Sequence, residues 1–315
     1  MKNITNNSVE ILSVLNQISD VIGLYVITVI AAIGIVTNYC FLTILSNKRL
    51  KHKFYQNLWM KAFSDLVVCL IGVCYLNDNT YTRIENGPYW TLFIHLYMSK
   101  LSLRIALQAS TYAEIYLILN RCIILFKPKS NLLYFNKWIV LFCNYCFFIS
   151  INIPMFAVVE IRETDVRGVF TIYQKFIGPK HKLYVAFWLF LQVFPVIALL
   201  FLNVLSIIKF RQKMSQLKTM GNTNTSANDK FERRTTKTII ILSCLFLICK
   251  SLDLWNLIFL IYENETGENF LNKSVLNFIR QMTFLLNFTF HVFNSFIYFH
   301  TDSYLRRTID FKLAL

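Results

Sequence analysis

Long apolar runs alternate with short polar connections along the whole chain. Windows long enough to cross ~30 Å of hydrocarbon occur at 21–45, 55–77, 92–126, 136–159, 183–210, 234–262 and 276–299. They are too long and too uniformly apolar for core helices of a water-soluble domain, so the pattern predicts seven membrane-spanning helices. The chain divides accordingly into an extracellular tail at 1–20, a seven-transmembrane domain at 21–299 and a cytoplasmic segment at 300–315. The tail lacks a basic start, an apolar run and a small-residue cleavage site, which sets it apart from a signal peptide and leaves the first span as the insertion signal. In the last segment Tyr304, Leu305, Ile309 and Phe311 interleave with Arg306, Arg307 and Lys312. That spacing suits a short helix lying in the headgroup plane. The expected fold class is an all-α membrane protein, a seven-transmembrane helix bundle with a short C-terminal amphipathic helix.

Composition narrows the class further. Hydrophobic residues fill 56% of the 315 positions and charged residues only 16%, against ~45–50% and ~25% in soluble domains. A soluble enzyme, a disulfide-rich secreted module and a disordered tail are excluded. Lys and Arg number 32 against 17 Asp and Glu, an excess of 15 that in a soluble chain suggests a nucleic-acid partner. Its distribution argues for a membrane instead. Nineteen cationic residues lie in connections on one side of the spans, eight of them from Lys209 to Lys237, and nine lie on the other side. The positive-inside rule then places the N-terminus outside and the C-terminus in the cytosol, as in a multi-pass plasma-membrane protein whose basic inner face meets anionic lipid and a protein partner. The inner connection from Arg211 to Arg233, with its run from Met220 to Ser226, reads as a flexible loop.

Two minor features fit this topology. Asn3, Asn6, Asn264 and Asn272 each begin an N-x-S/T triplet in a segment assigned to the outside, and are glycosylation candidates. Asn224 begins another triplet in an inner loop, where it is unusable. The eight cysteines all lie in or beside apolar stretches, so no disulfide framework is expected. The C-x-x-C of Cys143 and Cys146 has no acidic or His neighbours and reads as two small buried hydrophobes rather than a zinc or redox site.

A central charge costs about 2.5–3.5 kcal/mol on membrane insertion, so polar residues within spans need a reason. Those present are Asn38, Lys61, Asp65, Lys100, Arg104, Glu114, Asn120, Arg121, Asn203, Lys250, Asp253, His291 and Asn294. Their order, together with Ser64, Ser110, Pro128, Trp138, Pro195, Ser295 and Tyr298, resembles the motifs of the rhodopsin-like (class A) G-protein-coupled receptors. Asn120, Arg121 and Cys122 are similar to that family's Asp-Arg-Tyr triplet. Asn294, Ser295 and Tyr298 are similar to its Asn-Pro-x-x-Tyr, with serine replacing proline. Asn152 to Phe156, Pro195 with Leu199 and Asn203, and Asn294 to Tyr298 look most like divergent invertebrate FMRFamide-like neuropeptide receptors or worm chemosensory receptors.

The resemblance implies a receptor that converts binding of an extracellular peptide or small-molecule ligand into activation of a heterotrimeric G protein. A neuropeptide is the first expectation and a small chemosensory molecule the alternative. Asn120, Arg121, Glu232, Asn294 and Tyr298 would form the activation switch, Arg121 pairing with Glu232 in the resting state. An arginine at that depth also suits a plain interfacial anchor. Cys249, Lys250, Ser251 and Leu252 replace the family's Cys-Trp-x-Pro, so the sixth span should be straighter. The cysteines of the family's extracellular disulfide are missing.

Within the polar core of Asn38, Lys61, Asp65, Ser110, Glu114 and Lys250, two arrangements are expected. Lys61 and Glu114 stand where relatives hold leucines, and form either a buried ion pair or two groups facing a water-filled cavity. Relatives bind sodium between residues matching Asp65, Ser110 and Asn294. Here the Lys250 ammonium is expected to reach that cluster, making a sodium ion at Asp65 unnecessary and leaving no cofactor.

Leu103 stands where amine receptors keep an aspartate, which argues against an amine ligand. Lys100 and Arg104 share a helical face, with Asp253 at similar depth. They form either a polar pocket for a charged peptide or an anionic small molecule, or an internal bridge from Arg104 to Asp253. A transporter or channel is the competing class, but paired broken helices and inverted repeats are absent from the pattern. No enzyme is expected: Asp65, Glu114 and Asp253 have no dyad spacing, and His291 has no neighbouring ligands in the sequence.

Overall fold

The computed structural model describes residues 2–47, 53–78, 86–94, 101–126, 136–153, 159–164, 170–174, 179–219, 227–266 and 272–301. Their helices are α1 (Lys2–Val21), α2 (Ile27–Leu45), α3 (Lys53–Asp78), α4 (Tyr89–Phe93), α5 (Ser102–Phe126), α6 (Lys137–Asn152), α7 (Pro179–Thr219), α8 (Ala227–Thr266) and α9 (Lys273–Thr301). Strands β1 (Asn86–Gly87), β2 (Val159–Glu163) and β3 (Phe170–Gln174) form an antiparallel sheet in the order β1-β3-β2. Each of the seven apolar windows contains a helix, namely α2, α3 and α5 to α9. The chain is an all-α, largely helical bundle with several apolar helices, the build of a multi-span membrane protein.

Burial separates the polar positions of these helices from the apolar ones. Ile27–Leu45, Phe54–Cys74 and Leu189–Gln212 are long and apolar enough to cross a bilayer by composition alone, and Lys137–Asn152 is apolar but shorter. In α5, α8 and α9 the polar residues Glu114, Lys250, His291 and Asn294 are buried inside the bundle. The outer surface is apolar instead. On α7 the exposed residues Phe190, Phe194, Ile197, Phe201, Val204 and Ile208 recur every three or four positions, as a helix face immersed in hydrocarbon requires.

Three elements differ from the pattern-based expectation. Residues 2–21, expected only as an extracellular tail, form α1, which continues through a π-helical turn at Ile22–Val26 into α2. Leu12, Leu15, Ser19 and Ile22 lie on its less exposed face, and α1 packs against α9; tertiary contact thus orders a segment that looked merely polar. The fourth helix ends at Asn152, short of the expected 159, although Ile153 keeps helical backbone angles and its amide donates to the Ile149 carbonyl. Beyond it, Val159 to Glu163 pairs with Phe170 to Gln174, Ile161 opposite Ile172, where only a connection was expected. The long α8 runs through Lys250 without proline, whereas α7 contains Pro195. The C-terminal segment with its expected amphipathic helix lies outside the described residues.

Packing is layered. One apolar cluster joins Ile27, Ala31, Val68, Leu103, Ala106 and Phe288; a larger one joins Phe41, Leu45, Phe54, Leu58, Leu117, Leu141, Leu199, Leu242, Phe246 and Tyr298. Between them in the sequence of α2, α3, α5 and α9 lie Asn38, Lys61, Asp65, Ser110, Glu114, His291 and Asn294, all buried. Glycine brings these helices close enough to meet. A Cβ on Gly34 would lie 2.5 Å from Cys69 Sγ and 2.6 Å from Val292 Cγ2. Gly34→Ala should therefore destabilise the bundle by about 1–3 kcal/mol through overpacking, read as a lower melting temperature of the purified protein. Shortening the neighbour in Gly34→Ala/Cys69→Ala should recover part of the loss.

Candidate functional site

The buried polar layer centres on Asp65. Lys61 and Asp65 lie one turn apart on α3, an i,i+4 spacing that aligns their side chains, and Lys61 Nζ donates to Asp65 Oδ1 at 2.5 Å. Ser110 on α5 donates to the same oxygen at 2.6 Å and accepts from Lys61 Nζ at 3.0 Å. His291 on α9 places Nδ1 2.7 Å from Asp65 Oδ1, and Asn294 Nδ2 donates to Oδ2 at 3.0 Å. One carboxylate thereby joins three helices. Asn38 on α2 extends the layer: its Nδ2 donates to the Gly34 carbonyl at 2.9 Å and the His291 carbonyl at 3.2 Å, while its Oδ1 accepts from Ser295 Oγ.

Glu114 brings a second buried carboxylate to the layer. Its Oε2 is 3.7 Å from Lys61 Nζ, an ion-pair distance beyond a hydrogen bond, and among the described residues no donor lies within hydrogen-bond geometry of either carboxyl oxygen. The expected Lys61 to Glu114 pairing is thus present as the longer arm of a three-charge cluster whose short arm is Asp65. With a neutral imidazole, Lys61, Asp65 and Glu114 sum to a formal charge of −1. Lys61 is 1% exposed and both carboxylates 0%, so none of this charge is screened by bulk solvent.

Lys250 does not reach that cluster as expected. Its Nζ donates at 2.9 Å to Asp253 Oδ2, one turn along α8, and Asn287 Nδ2 on α9 donates at 2.9 Å to Asp253 Oδ1. The i,i+3 spacing puts a carboxylate within easy reach, and the ammonium takes the nearer partner. Lys61 provides the ammonium at Asp65 instead. His291, noted in the sequence as a polar residue within a span but not placed in the polar core, joins Asp65 as well. It lies three residues before Asn294 and so shares its helix face; Asn287, His291, Asn294 and Tyr298 together make a polar stripe whose 3.6-residue period was the signal that could have found it.

The remaining expected site residues are less closely joined. Tyr298 is buried in the larger apolar cluster, its ring 6.4 Å from that of Phe54. Asn120 lies half-buried on α5. Cys122, next to Arg121, lies 2.9 Å from Ser206 on α7 through its Sγ. Arg121 and Glu232 lie on α5 and α8, with their side chains outside the described residues, as are the side chains of Asn3, Asn6 and Asn264. Asn272 caps α9, its Oδ1 accepting from the Ser274 amide at 2.9 Å. Lys100 lies outside the described residues, and Arg104 is partly exposed on α5. All eight cysteines are unbridged. A link between α5 and α6 that was not anticipated runs from Asn152 Nδ2 to Gln108 Oε1 at 2.8 Å.

Buried ions joining several helices of an apolar bundle are the mark of a membrane protein whose interior does more than hold it together. A family model described as "Serpentine type 7TM GPCR chemoreceptor Srx" matches residues 28–248, more than half the chain. The chain belongs to that family. The match begins in α2 and ends in α8, taking in Asn38, Lys61, Asp65, Ser110 and Glu114 but not Asp253, His291 or Asn294. A search of curated proteins finds no match. Membership identifies a receptor-type protein and not an enzyme; among the described residues no group of three or more His, Cys, Asp or Glu side chains is arranged to hold a metal.

Removing one partner from a buried ionic cluster leaves the others uncompensated, whereas replacing all of them is tolerated. Glu114→Gln, which removes the carboxylate that has only the longer contact to Lys61, should cost less than Asp65→Asn. Asp65→Asn should lower stability by about 3–5 kcal/mol, and Lys61→Met/Asp65→Asn/Glu114→Gln should melt above Asp65→Asn. Thermal unfolding of the purified variants checks this ordering.

Proposed function

We propose that the chain is a plasma-membrane chemoreceptor that binds an extracellular small molecule and activates a heterotrimeric G protein. The observation that carries this reading is the family match over 28–248. The polar layer supports it, since a buried ionic cluster joining helices through one carboxylate has few arrangements and favours discrete states over continuous deformation. In this reading the seven helices α2, α3 and α5 to α9 all span the bilayer, with the N-terminus outside and the C-terminus in the cytosol. The cationic excess on the inner connections supports that orientation.

A ligand bound between the outer halves of the helices would stabilise one arrangement of the bundle over another by its differential affinity for the two. The candidate contacts are Asp253, which is 31% exposed while holding Lys250, together with Lys100 and Arg104. The inner response would be separation of α8 from α5, freeing Arg121 from Glu232 and opening a cleft for the G protein. Asn294 and Tyr298 would relay the change along α9. A neuropeptide of the FMRFamide-like kind is the competing occupant, favoured by the resemblance of Asn152 to Phe156 and Asn294 to Tyr298 to such receptors.

The test is expression in cells with a promiscuous G protein, challenged with a library of small organic molecules and neuropeptides. A saturable second-messenger response to a small molecule is expected, and substrate flux or current without a G protein would refute the reading. With an agonist in hand, Arg121→Ala should abolish signalling with surface expression largely intact, and Glu232→Ala should raise basal activity. Unchanged coupling in the first, or unchanged basal output in the second, would remove those residues from the mechanism.

A further inference from the structure

We infer that the Lys61 ammonium stands in place of a diffusible monovalent cation, so that this chain carries the positive charge of its polar layer covalently tethered to α3. In the receptors that the sequence resembles, sodium is held by residues matching Asp65, Ser110 and Asn294. All three are present here, yet their geometry does not fit a metal ion. Asp65 Oδ1 already meets Lys61 Nζ at 2.5 Å, Ser110 Oγ at 2.6 Å and His291 Nδ1 at 2.7 Å, and Oδ2 accepts from Asn294 at 3.0 Å. Hard cations draw several oxygen ligands to about 2–2.6 Å, and Asp65 Oδ1 is already surrounded by three side-chain partners. The ammonium also contacts Ser110 Oγ at 3.0 Å, so it touches both the carboxylate and the hydroxyl. A second cation there would meet the Lys61 ammonium at close range, and the only formal charge left to hold it is the −1 that the loosely paired Glu114 adds.

The charge arithmetic gives the substitution its logic. Sodium and a lysine ammonium carry the same charge, but the ammonium comes at a fixed effective concentration and cannot leave with a change in the external medium. Truncating Lys61 leaves Asp65 and Glu114 as two buried carboxylates without their cation, and opens the space held by the lysine stem. The prediction is a gain of function: the truncated chain acquires a cation site that the natural chain lacks.

The experiment uses the purified full chain in lipid nanodiscs, its unfolding followed in sodium chloride against N-methyl-D-glucamine chloride at constant ionic strength. Because the readout is stability, it stands or falls independently of ligand or G-protein coupling. The natural chain should melt identically in both salts. Lys61→Ala should melt lower in the organic salt and recover saturably with sodium by about 2–4 °C, and the recovery should vanish in Lys61→Ala/Asp65→Asn. A folded Lys61→Ala without sodium-specific recovery overturns the inference. So does saturable, sodium-specific stabilisation of the natural chain; should Lys61→Ala not fold, that titration alone decides.

Discussion

An ammonium and a carboxylate, Lys61 and Asp65, lie 2.5 Å apart inside a bundle whose outer surface is apolar, and the rest of the interior is arranged around them. Within hydrocarbon such charges are tolerated only when paired, hydrogen-bonded and turned away from lipid. Asp65 meets that condition by accepting from Ser110 on α5, His291 and Asn294 on α9, and Lys61 on its own helix. Each contact requires a helix to come near, so the need to satisfy one carboxylate brings three elements together. Asn38 adds α2 through the His291 carbonyl and Ser295. The apolar clusters before and after this layer limit its access to water, which raises the cost of any unpaired member.

The layer is asymmetric. Lys61 is close to Asp65 and 3.7 Å from Glu114, which it meets only at ion-pair distance. A second ionic group, Lys250 with Asp253 and Asn287, joins α8 to α9 and is partly exposed. Two charge clusters, on different helix pairs and of different exposure, divide the work that a single polar core was expected to do. α9 takes part in both, because its polar residues recur at helical spacing along one face. A Phe246–Phe290 ring contact at 4.9 Å reinforces the same pair of helices, with Lys250 Nζ 5.7 Å above the Phe246 ring.

Much of this could be read along the chain. The seven apolar windows each contain a helix because a backbone in hydrocarbon must satisfy its own hydrogen bonds, and length and hydropathy register that need locally. The members of the polar layer were legible as well: Lys61, Asp65, Ser110, Glu114 and Asn294 stood out as polar residues where apolar ones are cheaper. Their pairing was not. Lys250 was expected at Asp65, but Asp253 one turn away held it; Lys61 was expected to join Glu114, but Asp65 one turn away is nearer. In both cases the local i,i+3 or i,i+4 partner took precedence over the distant one.

What the sequence determined by itself is the inventory: which segments are helical and apolar, and which carboxylates, cations and amides lie within them. Those follow from the transfer cost of each side chain, a property of the residue alone. The tertiary structure decided the connections. It placed His291 on Asp65, bonded Gln108 to Asn152, laid α1 along α9 and folded Val159–Glu163 onto Phe170–Gln174 as strands. Each depends on the rotation and approach of helices distant in sequence, set by close contacts such as Gly34 against Cys69 and Gly72 against Phe288. Hydrophobicity is additive along a chain; the direction in which a buried side chain points is fixed only when its neighbours are in place.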